Sequence, residues 1–143
     1  MPVTSQLRVR YAETDQMHVV YYANYLVWFE VGRGDLMRAA GLSYEALERE
    51  FGCILPVAEA RCRYRASARY DDAIEVETQP SVVRGSMVKF AYKIYRVSEQ
   101  NKKERELLAQ GETTHFVCNT DLKRMRLPEA YEAALKSLMA EPQ

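Results

Sequence analysis

Tyr11-Ala-Glu-Thr-Asp15-Gln-Met-His18-Val-Val20-Tyr-Tyr22-Ala-Asn24-Tyr25 is the stretch in which the hydrophobic period of this chain switches. Before it, Leu7, Val9 and Tyr11 alternate with Arg8 and Arg10, the two-residue repeat of a half-buried strand over 6–11. After it, Tyr22, Leu26, Phe29, Leu36 and Ala40 recur at helical spacing and predict one face of a long helix. Tyr25, Trp28 and Val31 widen that face, so the helix is expected to be buried on most sides. Asn24 is the expected N-cap and Gly41 the expected C-cap. Gly32 and Gly34 weaken the helix and imply close approach to another backbone. Between strand and helix lies a polar loop carrying Asp15. A carboxylate just ahead of the free N–H groups of a helix start suits acyl transfer, which needs a base or nucleophile and a place for an oxyanion.

Ser43 starts a short second helix that ends near Gly52. Strand signals follow almost to the end. Ala58, Ala60, Cys62 and Tyr64 alternate with charged residues, Tyr70-Asp-Asp72 is a turn, and Ile74, Val76 and Thr78 resume the alternation. Pro80 marks an edge, a bulge or a strand end. Val88, Phe90, Tyr92 and Ile94 form the next strand, and the polar turn 98–104 joins it as a hairpin to a last long strand over 107–118. A terminal helix is expected over 128–139. The sum is an α+β arrangement in one domain, residues 1–143: an antiparallel sheet of about five strands around one long helix. Such a sheet leaves an edge and an outer face that self-association would cover.

Composition narrows the functions. Hydrophobic residues make up 48% and charged residues 28%, an ordinary globular balance. Lys plus Arg number 20 and Asp plus Glu 20, so net charge argues against nucleic acid as a partner. No apolar run approaches the ~18 residues of a membrane span, and no secretory leader is legible, so a cytoplasmic protein without membrane insertion is expected. Cys53, Cys62 and Cys118 are odd in number and far apart and read as reduced, neutral thiols. No spacing fits a zinc site, a nucleophile elbow or a phosphate loop, so neither metal nor cofactor is expected.

Asp15 is the main catalytic candidate, against an ordinary Asx-turn role. Glu13 would share a proton with it if the two side chains converged. His18 is a loop histidine able to act as a base or touch substrate; His115, inside the last strand, reads as a satisfied core histidine. Glu30 and Arg33 have the spacing of a helical ion pair. Lys123, Arg124 and Arg126, with Arg84 near a hairpin end, form either a solvated turn or a landing site for phosphates.

These residues join into a pattern. Thr14-Asp15 through Tyr25, then Phe29-Glu30-Val-Gly-Arg33, resembles the hotdog-fold acyl-CoA thioesterases of the 4-hydroxybenzoyl-CoA thioesterase type. The likeness continues through Gly41-Leu-Ser, Leu55-Pro-Val57, the run from Tyr64 to Asp72 and Gly111-Glu-Thr-Thr-His115. The resemblance implies a catalytic Asp15 and a thioester carbonyl polarised by the backbone N–H of Tyr22. It also implies acyl-CoA as substrate, no cofactor, and dimers or tetramers with active sites between subunits. Basic side chains would hold the nucleotide end, with Arg84, Lys123, Arg124 and Arg126 in roughly the corresponding regions. His18 stands where many relatives carry glycine, so it would shape the acyl pocket. Two alternatives share the fold: a hydratase or dehydratase, and a non-catalytic acyl-CoA-binding protein.

Overall fold

A computed structural model describes residues 2–139. Met1 and residues 140–143, which the expected single domain of 1–143 includes, lie outside the described residues. Strand β1 (Val3–Arg8) leads through a 3₁₀ turn (Tyr11–Glu13) to helix α1 (Asn24–Ala39). Helix α2 (Tyr44–Phe51) and strand β2 (Cys53–Ile54) follow, then β3 (Val57–Tyr64), β4 (Ala73–Arg84), β5 (Met87–Val97) and β6 (Arg105–Phe116). The short β7 (Cys118–Asn119) and helix α3 (Glu129–Lys136) complete the order.

Five strands form one antiparallel sheet in the order β1-β4-β5-β6-β3, while β2 and β7 pair separately. Period-two alternation is cleanest in β4, where Ile74, Val76 and Thr78 are buried between less buried neighbours. With Val88, Phe90, Tyr92 and Ile94 of β5 they make the inner face on which α1 lies. From α1 come Tyr25, Trp28, Phe29, Leu36 and Met37, and Phe29 stacks on Tyr92 at 4.2 Å between ring centroids. Each such side chain contributes about 1.5–3 kcal/mol by leaving water. The expected α+β sheet around one long helix is present.

Several details differ from the expectations. The first strand is Val3–Arg8 rather than 6–11, because Val9 leaves the ladder to pair with the turn after β3 through Asp71 and Asp72. Inward-facing Ser5 is buried, and that polar residue hides the strand's start from a hydrophobicity reading. The buried stripe of α1 runs through Tyr25, Trp28, Phe29, Gly32 and Leu36, whereas Tyr22, Leu26, Val27 and Val31 are exposed in the single chain. The N-cap is Ala23, not Asn24, whose side chain instead donates to the Glu13 carbonyl at 2.9 Å. Pro80 does sit at a bulge, where the β4–β5 register slips between Pro80 and Val82. Arg33 donates to the Tyr92 hydroxyl at 3.2 Å and forms no ion pair with Glu30.

Close approach holds for one helix glycine only. A Cβ on Gly32 would meet Thr78 Oγ1 at 2.2 Å and Val76 at 3.1 Å, so the helix is pressed onto β4 side chains rather than onto its backbone. At Gly34 the nearest atoms belong to the flexible end of Arg38. Gly32→Ala should therefore lose roughly 1–3 kcal/mol to overpacking. Gly34→Ala should gain up to roughly 1 kcal/mol from helix propensity. Urea unfolding midpoints of the two variants check the pair.

Candidate active site

Residues 13–22 fold back on themselves. Thr14 and Val20 form a bridge, the Asp15 N–H donates to Val19 O at 2.9 Å, and the His18 N–H donates to Asp15 O at 3.0 Å. His18 takes the left-handed conformation at φ 65°, which closes a three-residue hairpin loop. That backbone conformation is one glycine adopts without strain. The Asx turn is real: Asp15 Oδ1 accepts the Met17 N–H at 2.9 Å. Among the described residues, no protein group donates to its other oxygen.

Glu13 does not converge with Asp15. It turns inward, 6% exposed, where Oε2 accepts the Trp28 indole N–H and Oε1 the Arg10 N–H, each at 2.8 Å. Its carbonyl accepts the Tyr21 N–H at 2.8 Å and the Asn24 side chain. These ties hold the Asp15 loop against the start of α1. Tyr64 adds another, its hydroxyl donating to Tyr22 O at 2.9 Å. The N–H groups of Tyr22 and Ala23 donate to no protein group among the described residues, so the helix start presents two free donors beside the loop. Tyr11, Met17, Tyr21, Tyr22 and Tyr70 are exposed around it, an open apolar rim in the single chain.

Reasoning from the sequence missed Glu13 as a strut, together with Trp28 and Tyr64. The available signal was Trp28: a tryptophan on a buried helix face needs an acceptor for its N–H.

The basic residues do come together, at the opposite end of the sheet. Arg124 Nη2 donates to Ser86 O at 3.3 Å and Ser86 Oγ at 3.2 Å, and its guanidinium lies 4.0 Å from the Phe116 ring centroid. Arg126 lies against Gly85 and pairs with Glu132 at 3.4 Å. Arg84 is exposed at the end of β4, and Lys123 is exposed on the turn after β7. Tyr64 closes β3 at the Asp15 end, whereas Val57 starts it beside His115 and Val88, next to the 84–87 turn. The length of β3 thus separates Asp15 from the basic turn by roughly 23 Å within one chain.

His115 is the core histidine expected of it. Its Nδ1–H donates to Leu55 O at 2.9 Å, which leaves Nε2 to accept from Thr113 Oγ1 at 2.8 Å. Tyr92 O–H then donates to Thr113 at 2.6 Å, and Arg33 donates to Tyr92. Burial is the main cause that lowers the His115 pKa to about 4; the Leu55 contact opposes the shift and Arg33 adds to it. The three thiols are unpaired, with burial raising Cys53 and Cys62. No helix among the described residues is long and apolar enough to cross a membrane.

Two predictions follow from these contacts. Glu13→Gln puts an amide donor against an N–H and should destabilise by roughly 1–3 kcal/mol; Trp28 fluorescence during urea unfolding reads it. Between pH 6.5 and about 4 the unfolded chain takes up a proton that folded His115 refuses. The His115 contribution is therefore complete above pH 6.5 and is lost as pH falls toward 4, by on the order of 3 kcal/mol. Denaturation across that window should show the slope, and His115→Gln should flatten it.

The chain is similar to known proteins along most of its length. The family described as the thioesterase-like superfamily matches residues 9–135. The putative acyl-CoA thioesterase YneP of Bacillus subtilis is 40% identical over 90 residues, which span 63% of this chain and 64% of that protein. The acyl-CoA thioester hydrolase YbgC of Escherichia coli O157:H7 is 31% identical over 132 residues, 91% of this chain and 92% of that protein. A solved 4-hydroxybenzoyl-CoA thioesterase superposes with a TM-score of 0.85, covering 94% of this chain and 98% of that one. At 19% identity that likeness shows the shared hotdog fold alone. The chain belongs to the thioesterase-like superfamily.

Proposed function

We propose that this member of the thioesterase-like superfamily is a thioester hydrolase that cleaves an acyl-CoA to free acid and coenzyme A. The observation that carries the reading is the helix start: free N–H groups at Tyr22 and Ala23, held beside a carboxylate loop by Glu13. The hydrolase class is that of relatives named acyl-CoA thioesterase and acyl-CoA thioester hydrolase.

The chemistry needs little more. A thioester carbonyl is a good electrophile and a thiolate leaves readily, so no strong nucleophile triad is required. Asp15 attacks the carbonyl to give a mixed anhydride, or takes a proton from the attacking water. Oδ1 is anchored by Met17 N–H, which leaves the other oxygen for this task. The Tyr22 N–H, at the positive end of α1, faces the developing oxyanion. His18, on its left-handed corner, shapes the acyl entrance.

Holding the coenzyme requires a second copy. Asp15 and the basic turn of Arg84, Lys123, Arg124 and Arg126 lie at opposite ends of one sheet. Strand β3 is an edge strand, and its residues from Val57 to Tyr64 are almost all exposed. Pairing β3 with β3 of a second copy about a two-fold axis is antiparallel. It puts the end of one β3 beside the start of the other, and so the Asp15 of one copy beside the basic turn of its partner. Arginine forks there grip the phosphates, and the apolar rim around Asp15 is covered.

The test is direct. Purified protein mixed with a panel of acyl-CoAs should release thiol; water addition without thiol would mean a hydratase, and saturable binding alone a sensor. Asp15→Asn should lose ~10²–10⁴-fold in turnover while still binding coenzyme A. An Asn variant keeping more than about a tenth of the rate would remove Asp15 from this role. The Arg124→Ala, Arg126→Ala double variant should raise KM for acyl-CoA and leave the truncated acyl-pantetheine unaffected.

A further inference from the structure

Glu30, Val31, Arg33, Arg38, Tyr44 and Leu55 are prominent around a cleft of about 500 Å³ between α1 and α2, away from Asp15. Two of its groups lack the partners their chemistry calls for. The Tyr44 hydroxyl is buried and has no well-formed hydrogen bond among the described residues, with the Arg33 guanidinium its near neighbour. Burial pushes its pKa up to about 12, partly countered by nearby Arg33. Arg33 itself has no carboxylate within ion-pair distance among the described residues; its guanidinium donates to the Tyr92 hydroxyl and lies beside the Tyr44 hydroxyl. The directed chain from Arg33 through Tyr92 and Thr113 to His115 fixes the guanidinium but leaves its charge unneutralised and most of its N–H groups free. Of the other charges at the rim, Arg38 is paired with Asp35 at 2.6 Å and Glu30 is exposed to solvent.

A buried hydroxyl and a cation without a counter-ion, converging on an open cleft, suit an oxyanion that accepts from both. The cleft is also connected to the helix start. Leu26, Val27 and Val31 are exposed on the same side of α1 and lead from Tyr22 into it. From the first turn of α1 to Arg33 the helix rises roughly 14 Å, and long side chains lean back toward the N-terminus and shorten that gap.

We infer that the α1–α2 cleft is the far end of the acyl site and binds a terminal carboxylate, so that the favoured substrates are thioesters of dicarboxylic acids. This rests on the thioesterase reading above. The acyl chain lies along Leu26, Val27 and Val31, with its thioester at the Tyr22 N–H and its distal carboxylate between Arg33 and Tyr44.

The experiment compares ω-carboxyacyl-CoAs with unsubstituted acyl-CoAs of equal length, across a series of lengths. The ratio of kcat/KM should exceed one and peak at the length that spans the helix from Tyr22 to Arg33. Tyr44→Phe deletes a hydroxyl that makes no well-formed hydrogen bond in the protein, so it should melt close to wild type. It should cut that ratio by roughly tenfold or more, and Arg33→Gln should do the same. A ratio at or below one at every length, or a ratio unmoved by Tyr44→Phe, overturns the inference. Binding of the free dicarboxylic and monocarboxylic acids, followed by calorimetry, separates the two readings. If no acyl-CoA is hydrolysed but diacids still bind selectively and lose that selectivity in Tyr44→Phe, the cleft stands and the thioesterase reading falls. If diacids bind no better than monoacids, the cleft assignment falls whatever the hydrolysis result.

Discussion

The buried carboxylate of Glu13 is the constraint on which the rest of the site depends. A charge taken out of water is tolerated only when its lone pairs are met by donors. Here the donors are the Trp28 indole, from the buried face of α1, and the Arg10 backbone, from the exit of β1. Meeting them fixes where the chain leaves the sheet and how the helix lies against it. The Glu13 carbonyl then takes the Tyr21 N–H and the Asn24 side chain, so the loop between has one path to follow. Asp15 is held at the helix start by this frame, whereas its own side chain contributes only an Asx turn.

The same frame explains what the sequence made legible. Period-two alternation in β4 and β5 is driven by a single buried face, so those strands were readable directly, as was the hairpin from β5 to the last long strand. Ser43 and Gly52 bracket α2 as N-cap and left-handed C-cap, the local chemistry those residues carry anywhere. The start of β1 was not readable, because Ser5 buries a hydroxyl where a hydrophobic residue would have announced the strand. The face of α1 was read rightly at Tyr25, Trp28, Phe29 and Leu36 and too broadly at Tyr22, Leu26 and Val31. Leu26, Val27 and Val31 are apolar but face outward, and composition cannot distinguish a core stripe from one left for a ligand or a second copy.

Site residues divide in the same way. Asp15 and the basic residues were visible as residue types in suggestive places, and Arg124 and Arg126 do meet the 84–87 turn. Arg33 was assigned to the wrong partner, since i, i+3 spacing predicts Glu30 while the sheet supplies Tyr92. Glu13 was weighed only beside Asp15, its neighbour in sequence, whereas the tertiary need of Trp28 decides where its side chain goes. Long-range polar contacts of this kind carry no periodic signal.

The proposed site joins the ends of two different copies, and hybrid assembly tests that join most directly. One preparation carries Asp15→Asn, another carries Arg84→Ala, Arg124→Ala and Arg126→Ala. Each is assayed at low acyl-CoA, and then the two are unfolded, mixed and refolded together. A mixed dimer holds one site with both Asp15 and the basic turn intact, so the mixture should release thiol faster than the two parents summed. A mixture that gives only that sum would contradict a site shared between two copies.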